Sequence, residues 1–378
     1  MEYRKFNEKW EKCKLYDLAT WKNGLAFKKI SFSNKGYPII KIAELKNGIT
    51  KQTNYTNQKY DKDVFLNYDD LIFSWSGNPE TSIDAFLYRL PDGYLNQHSF
   101  KVTPKEGIDK YFLYYILKYL KPVFKSIATN KQTTGLGHVT IENLKELNVA
   151  IPGYIIQRKI LKILKNIDDK IELNNLINNN LNKILTTLYK ESLNKIKSNE
   201  ENTLDKFCNI FTGKKNANEY DETGTNKFFT CGDKTLKINS YIYNGPAIII
   251  SGNGSYTGRT QFYNGKFDLY QRTYACTIKN NVNEDYIYAL YVIVQNELVN
   301  KISGGTHGSA IPYIVINDLA KFKIYFDEES LKKLSTQAKK ILEKIQSNEE
   351  ENETLMQIRE ILLPKLMNGE IDLDNIEI

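Results

Sequence analysis

Three sets of polar loops hold the side chains whose types and spacing could do chemistry, and each set occurs twice. Ser74-Trp75-Ser76-Gly77-Asn78 is matched by Ser251-Gly252-Asn253. Asn96-Gln97-His98-Ser99 is matched by Tyr270-Gln271-Arg272-Thr273. Asn130-Lys131-Gln132-Thr133-Thr134-Gly135 is matched by Ser303-Gly304-Gly305-Thr306-His307-Gly308-Ser309. Asn and Gln can bridge the N6/N7 edge of adenine, and Arg the O6/N7 edge of guanine. Hydroxyls, amides and single cations in a loop suit phosphate contact. The pairs Lys28-Lys29 and Lys214-Lys215, together with Arg259, add attraction for a polyanion. Taken singly, each of these positions fits a plain surface loop, and Trp75 fits a core. The case rests on both copies agreeing in placement.

Catalytic constellations are missing from the pattern. There is no GxxxxGK[ST] phosphate loop and no GxSxG elbow. Gly252-Asn253-Gly254 lacks the third glycine of a dinucleotide fingerprint, so a turn is expected there. Asn78-Pro79-Glu80-Thr81 lacks the second proline and the aromatic ring with which adenine methyltransferases hold a flipped base. Cys13, Cys208, Cys231 and Cys276 form no CxxC pair. His98, His138 and His307 share no metal-ligand spacing. The pattern predicts a recognition protein that is not an enzyme and binds no metal or cofactor of its own.

The elements that position these loops are themselves duplicated. Ser76, Tyr111 and Val139 find counterparts at Ser251, Tyr286 and Ile314, all at an offset of 175 residues. That period is far too long for a solenoid; it marks two copies of a whole domain-plus-helix module. Near the start of each copy, Leu15–Ala19 resembles Leu204–Cys208, followed by Gly24 or Gly213, at an offset of 189. The first copy therefore carries 14 extra residues between Gly24 and Ser76, and the two copies should differ most there.

Four segments are expected: a globule over 1–151, a helical segment over 152–198, a globule over 199–326 and a helical segment over 327–378. In the globules, Tyr37–Ile42 and Asp69–Ser74 read as strands, and Lys110–Ser126 as a helix. Ile160, Leu164, Ile167, Ile171, Ile177, Leu181, Ile184 and Leu188 step by threes and fours, the seam of a helix packed on another helix. The Asn-rich stretch between residues 174 and 182 is poor helix material, although an Asn at a seam can fix register. Leu331, Leu334, Ala338, Ile341, Leu342 and Ile345 form the matching stripe, and Asn368-Gly369 is a stop signal. The fold class expected is α+β: two globules separated by two long antiparallel helices, a coiled-coil spacer, with an internal pseudo-two-fold repeat. The alternative is that each helix packs only on its own globule.

The net charge of +7 is unevenly spread. The four segments carry +7, +5, +1 and −6 in chain order. Basic globules suit nucleic acid, and an acidic helix should face protein or solvent. The longest aliphatic run, Ala247–Ile250, is too short to span a bilayer. A cytoplasmic location without membrane contact is expected.

The chain resembles the specificity subunit of type I restriction-modification systems. Leu362-Leu363-Pro364-Lys365-Leu366-Met367-Asn368-Gly369-Glu370 is similar to that family's Leu-Leu-Pro-Lys-Leu-x-x-Gly-Glu ending. Ile151-Pro152, Gln157-Arg158 and Ile167-Asp168 fit its helix start. The second copy departs from it: Ile324-Tyr325-Phe326-Asp327 lacks the proline, and Gln337 comes late. The resemblance implies two target recognition domains that read an asymmetric bipartite site in double-stranded DNA. It also implies that the helices dock two methyltransferase subunits, and that motor-nuclease subunits join for restriction. S-adenosylmethionine, ATP and Mg2+ would belong to those partners. Two other readings stay open: the equivalent subunit of a two-chain type IIB-like enzyme that cuts beside its site, and a free-standing DNA-binding scaffold or repressor.

Overall fold

The computed structural model describes residues 10–130, 135–194, 201–302 and 313–373. It comprises two compact units, one of residues 1–170 with 354–378 and one of residues 171–353. The fold is α+β.

In the first unit, four antiparallel strands stand in the order Ala19–Asn23, Ser99–Pro104, Leu71–Ser74, Asp84–Leu87. Leu71–Ser74 is buried along its whole length, which is why it reads as an unbroken apolar run rather than an alternating one. Phe73, Phe112, Leu113, Ile116, Phe124 and Val139 form the core, joined by Ile160, Leu164, Leu366 and Met367 of the long helices. The single helix expected over 110–126 is two, Lys110–Tyr119 and Lys121–Asn130. Pro122 has no N–H to donate back into the first helix, so the chain restarts there with the proline in a first turn, where it is tolerated. A second small sheet joins Tyr55–Thr56, Tyr37–Ile40, Gly93–Leu95 and Phe65–Leu66.

In the second unit, six strands run in the order Cys208–Thr212, Thr273–Ile278, Tyr243–Ser251, Thr260–Leu269, Asn226–Phe229, Leu236–Ile238. Helix Tyr286–Ile302 packs on this sheet with Ile287, Leu290, Ile293 and Val294 buried. In each unit a two-stranded ribbon lies where a long helix begins: Glu11–Lys14 with Asn148–Ile151, and Glu201–Thr203 with Lys323–Tyr325.

Strand pairing corrects the repeat at one point. Ser99 faces Ser74 in the first sheet, and Thr273 faces Ser251 in the second. Ser251-Gly252-Asn253 is therefore the counterpart of Ser74-Trp75-Ser76, two residues earlier than the sequence match. A slip of two leaves the inward–outward alternation of a strand unchanged, so sequence similarity could not detect it. The first copy's surplus before this point is twelve residues rather than fourteen.

The long helices are Tyr154–Leu193 and Glu328–Met367. Within each unit their segments run antiparallel. In the first unit, Asp168 accepts from Arg359 and from Tyr115 Oη (2.6 Å), and Lys159 Nζ donates to the Leu373 carbonyl (2.7 Å). In the second, Asn174 Nδ2 donates to Asn352 Oδ1 (2.9 Å) and Asn348 Nδ2 to Asn178 Oδ1 (2.7 Å). All four amides are buried. The Asn-rich stretch is helical despite its low propensity because its inward amides find partners across the seam. The second long helix ends at Met367, with Gly369 at φ +73° in the left-handed conformation that glycine adopts most readily.

Candidate nucleic-acid interface

Each globule gathers the ends of its central strands at one tip. In the first, Gly24 follows strand Ala19–Asn23, and a Cβ there would lie 2.2 Å from the Asn96 carbonyl oxygen. Only glycine lets the chain pass so close, and this brings Asn23 beside Trp75. Asn23 Oδ1 accepts the indole N–H of Trp75 at 3.0 Å. The Trp75 ring stacks on Phe100 with centroids 5.6 Å apart, and His98 and His138 flank it at 6.0 and 5.9 Å. Ser76 Oγ pairs with His138 Nδ1 at 2.9 Å. The Trp75 backbone N–H donates to the His98 carbonyl (3.3 Å), and the Val139 backbone N–H to the Trp75 carbonyl (2.9 Å).

The second tip repeats this backbone with different side chains. Gly213 takes the place of Gly24, and a Cβ there would lie 1.8 Å from the Leu269 carbonyl oxygen. The Gly252 N–H donates to the Arg272 carbonyl (2.9 Å), and Ile314 N–H to the Gly252 carbonyl (2.8 Å). Trp75, His98 and His138 thus correspond to Gly252, Arg272 and Tyr313. Where the first tip has an indole, the second has room for Tyr274, whose hydroxyl donates to the Ile314 carbonyl (2.8 Å).

The candidate residues divide by what surrounds them. Ser74, Ser76, Ser251 and Thr273 are buried; as placed they shape the tips and cannot meet a large ligand directly. Asn78 is exposed, but its Oδ1 accepts from Glu80 and Thr81 N–H (2.9 and 3.3 Å) and so closes a turn. Arg259 donates to the Gly232 carbonyl and, at 3.0 Å, to that of Asp233, and lies over the Tyr256 ring at 4.9 Å. It braces a loop. Lys215 pairs with Glu219 at 3.5 Å. Asn96 and Gln97 are half-buried, and Gln97 Nε2 lies 3.4 Å from His98 Nε2. Asn253 is half-buried in a bridge to Tyr313.

Lys28, Lys29, His98, Lys214, Gln271 and Arg272 are exposed. The backbone of Arg272 is fixed by Gly252 and by Cys231 Sγ (3.1 Å from its carbonyl), while its side chain reaches solvent. Lys131, Gln132, Thr133, Thr134, Thr306, His307 and Ser309 lie outside the described residues. Sequence reasoning missed Asn23, His138, Cys231 and Tyr313. His138 and Tyr313 share the 175-residue offset and could have been found from it; Cys231 carries no such signal.

Among the described residues, no group of three His, Cys, Asp or Glu could hold a metal ion, and no helix is long and apolar enough to cross a membrane.

The family model for the type I restriction modification DNA specificity domain matches residues 7–183 and again 196–358. The chain belongs to this family. Its two matches fall one on each copy of the repeat. Among curated relatives, this specificity-domain chain is 31% identical over 173 residues to the type I restriction enzyme EcoDI specificity subunit of Escherichia coli, covering 44% of the chain and 37% of that protein. It is 25% identical over 337 residues to the MjaIX specificity subunit of Methanocaldococcus jannaschii, covering 76% and 77%. Among solved structures, the type I restriction-modification S subunit from M. genitalium superposes with a TM-score of 0.57 at 19% identity, covering 96% of this chain and 98% of that one. That likeness is one of fold.

Proposed function

We propose that this chain is the non-catalytic DNA-recognition subunit of a type I restriction-modification complex, with each globule reading one half of an asymmetric bipartite site. The observation that carries the reading is the pair of tips, which share one backbone hydrogen-bond pattern and present different side chains. A duplicated frame suits two half-sites in one duplex. Unlike contents, an indole between two imidazoles against a free guanidinium, suit two different sequences. The basic first globule adds phosphate attraction. The long helices are the surfaces for two methyltransferase subunits, and a motor-nuclease subunit completes the restricting complex. S-adenosylmethionine, ATP and Mg2+ act in those partners.

The test is reconstitution. The chain is mixed with its cognate methyltransferase subunit, and methylated sites are mapped by single-molecule sequencing. Arg272→Ala should relax the motif in one half-site only and weaken binding by about ten- to a hundredfold if the contact is bidentate to guanine. Methylation that is independent of this chain would end the reading, as would a motif altered in both halves.

A further inference from the structure

Asn23 and Thr212 hold the same place in the two globules. In the strand registers Asn23 faces Phe100 and Thr212 faces Tyr274, and each is followed by the glycine of its close passage. Their side chains are committed differently. Thr212 Oγ1 lies 2.8 Å from the Gln271 carbonyl and 2.9 Å from that of Thr273, so its proton goes to the protein's own backbone. Asn23 is exposed, and its Oδ1 accepts the Trp75 indole N–H at 3.0 Å.

That bond fixes which end of the carboxamide is engaged. An indole N–H can only donate, so the amide oxygen must face it. Trp75 is itself held, stacked on Phe100 with centroids 5.6 Å apart and flanked by His98 at 6.0 Å. Asn23 therefore keeps a second lone pair on Oδ1 and the hydrogens of Nδ2 for a ligand. Among the described residues, Nδ2 makes no hydrogen bond. An acceptor beside a donor in one plane matches a single base edge in the major groove. Adenine presents the N6 donor next to the N7 acceptor, whereas guanine presents two acceptors, cytosine a donor and thymine an acceptor.

We propose that Asn23 reads an adenine in the half-site bound by the first globule, with Trp75 as the residue that positions its amide. Oδ1 accepts from N6, and Nδ2 donates to N7. The proposal rests on the DNA-recognition reading and goes beyond it in naming the residue and the base. An amide already held in its reading orientation loses little rotamer freedom on binding. Thr212 carries no amide edge, so the second half-site has no counterpart of this contact.

The experiment uses the full chain with its cognate methyltransferase subunit. The methylated motif is mapped by single-molecule sequencing for wild type, Asn23→Ala, Asn23→Asp and Trp75→Phe. Asn23→Ala should make one adenine position of one half-site degenerate and leave the other half-site intact. Asn23→Asp keeps an acceptor for the indole but has no donor for N7. It should lose the adenine and turn toward cytosine, whose N4 donates to a carboxylate. Trp75→Phe keeps a ring against Phe100 and removes the indole N–H, so the same position should loosen part-way. Binding is then measured on duplexes carrying 7-deazaadenine, which lacks N7, at that position. The analogue should weaken wild type about tenfold or more and leave Asn23→Ala unaffected. Degeneracy spread over the whole half-site would make Asn23 a brace for Trp75 and overturn the proposal. So would an unchanged motif in Asn23→Asp, or a 7-deazaadenine penalty that persists in Asn23→Ala. In those cases a bipartite wild-type motif leaves the DNA-recognition reading standing; methylation independent of this chain removes both.

Discussion

Asn178→Leu tests whether the buried amides of the helix seam act in pairs. Asn178 Oδ1 accepts from Asn348 Nδ2 at 2.7 Å, and its own Nδ2 donates to the Ile345 carbonyl at 3.2 Å. Leucine matches asparagine in shape, so the substitution leaves little cavity. It does strand the Asn348 amide, which is 1% exposed, and a buried polar group without a partner costs about 1–3 kcal/mol. For a unit of this size that is about 2–4 °C in melting temperature per kcal/mol. The double variant Asn178→Leu/Asn348→Leu removes both partners together and should be near neutral or stabilising, as when buried polar pairs are replaced by apolar ones. The assay is a double-mutant cycle by calorimetry. The same cycle at Asn174 and Asn352 should give the same sign, because residues 174 and 348 hold equal places in the repeat, as do 178 and 352, so the two hydrogen bonds are one bond made twice. A single variant as benign as the double would refute the argument.

Three further outcomes follow from local geometry. Burial pushes the Cys208 thiol up to about 12 and raises Cys276 well above its usual value, while burial with Glu11 and Asp17 nearby pushes Cys13 up to about 11. Iodoacetamide at pH 8 should therefore label native protein at Cys231 first, which peptide mass mapping will read. Burial opposes ionisation of Asp84, but Lys118 (2.8 Å) and Lys121 (2.6 Å) outweigh it and hold the carboxyl below the usual range. Its contribution to stability is complete above the unfolded carboxylate pKa of about 4 and is lost as pH falls through the lower folded value. The stability gap between wild type and Asp84→Asn should thus close on acidification, and a gap constant with pH would contradict this. Gly213→Ala places a Cβ against the Leu269 backbone, which cannot yield as a side chain would, so a loss of about 2 kcal/mol or more is expected in denaturant titration.

The sequence exposed the duplication because whole strands and helices kept their apolar patterns, and it exposed the long seams because three-and-four spacing survives any surface drift. It did not show that Pro122 splits a helix, since the apolar face runs on through both pieces. It did not show the two-residue slip at Ser251, because strand alternation hides even shifts. Among candidate residues, it could not separate Arg272 from Arg259. Both are arginines in turn-rich segments, and only the Gly232 and Asp233 carbonyls reveal that Arg259 is occupied. Nor could it find Asn23, whose part depends on Gly24 allowing a close passage.

The slip at Ser251 alters how the two tips are compared. In the sequence match, Trp75 faces Ile250, a buried strand residue, and looks like a spare aromatic beside the motif. In the strand register it faces Gly252, at the centre of the tip. A Cβ on Gly252 would lie 2.4 Å from the Arg272 carbonyl and 2.5 Å from the Tyr274 ring, so an indole cannot stand there while Tyr274 keeps its hydrogen bond to Ile314. The first tip resolves the same crowding the other way, with Phe100 lying flat under Trp75 and carrying no hydroxyl to satisfy. Phenylalanine with tryptophan and tyrosine with glycine are therefore two self-consistent packings of one backbone. Each fixes what stands beside it, His98 and His138 in one case and Arg272 and Tyr313 in the other. The two tips differ as packed sets rather than as independent surface residues, and exchanging a single member should disturb its own tip before it transfers any property of the other.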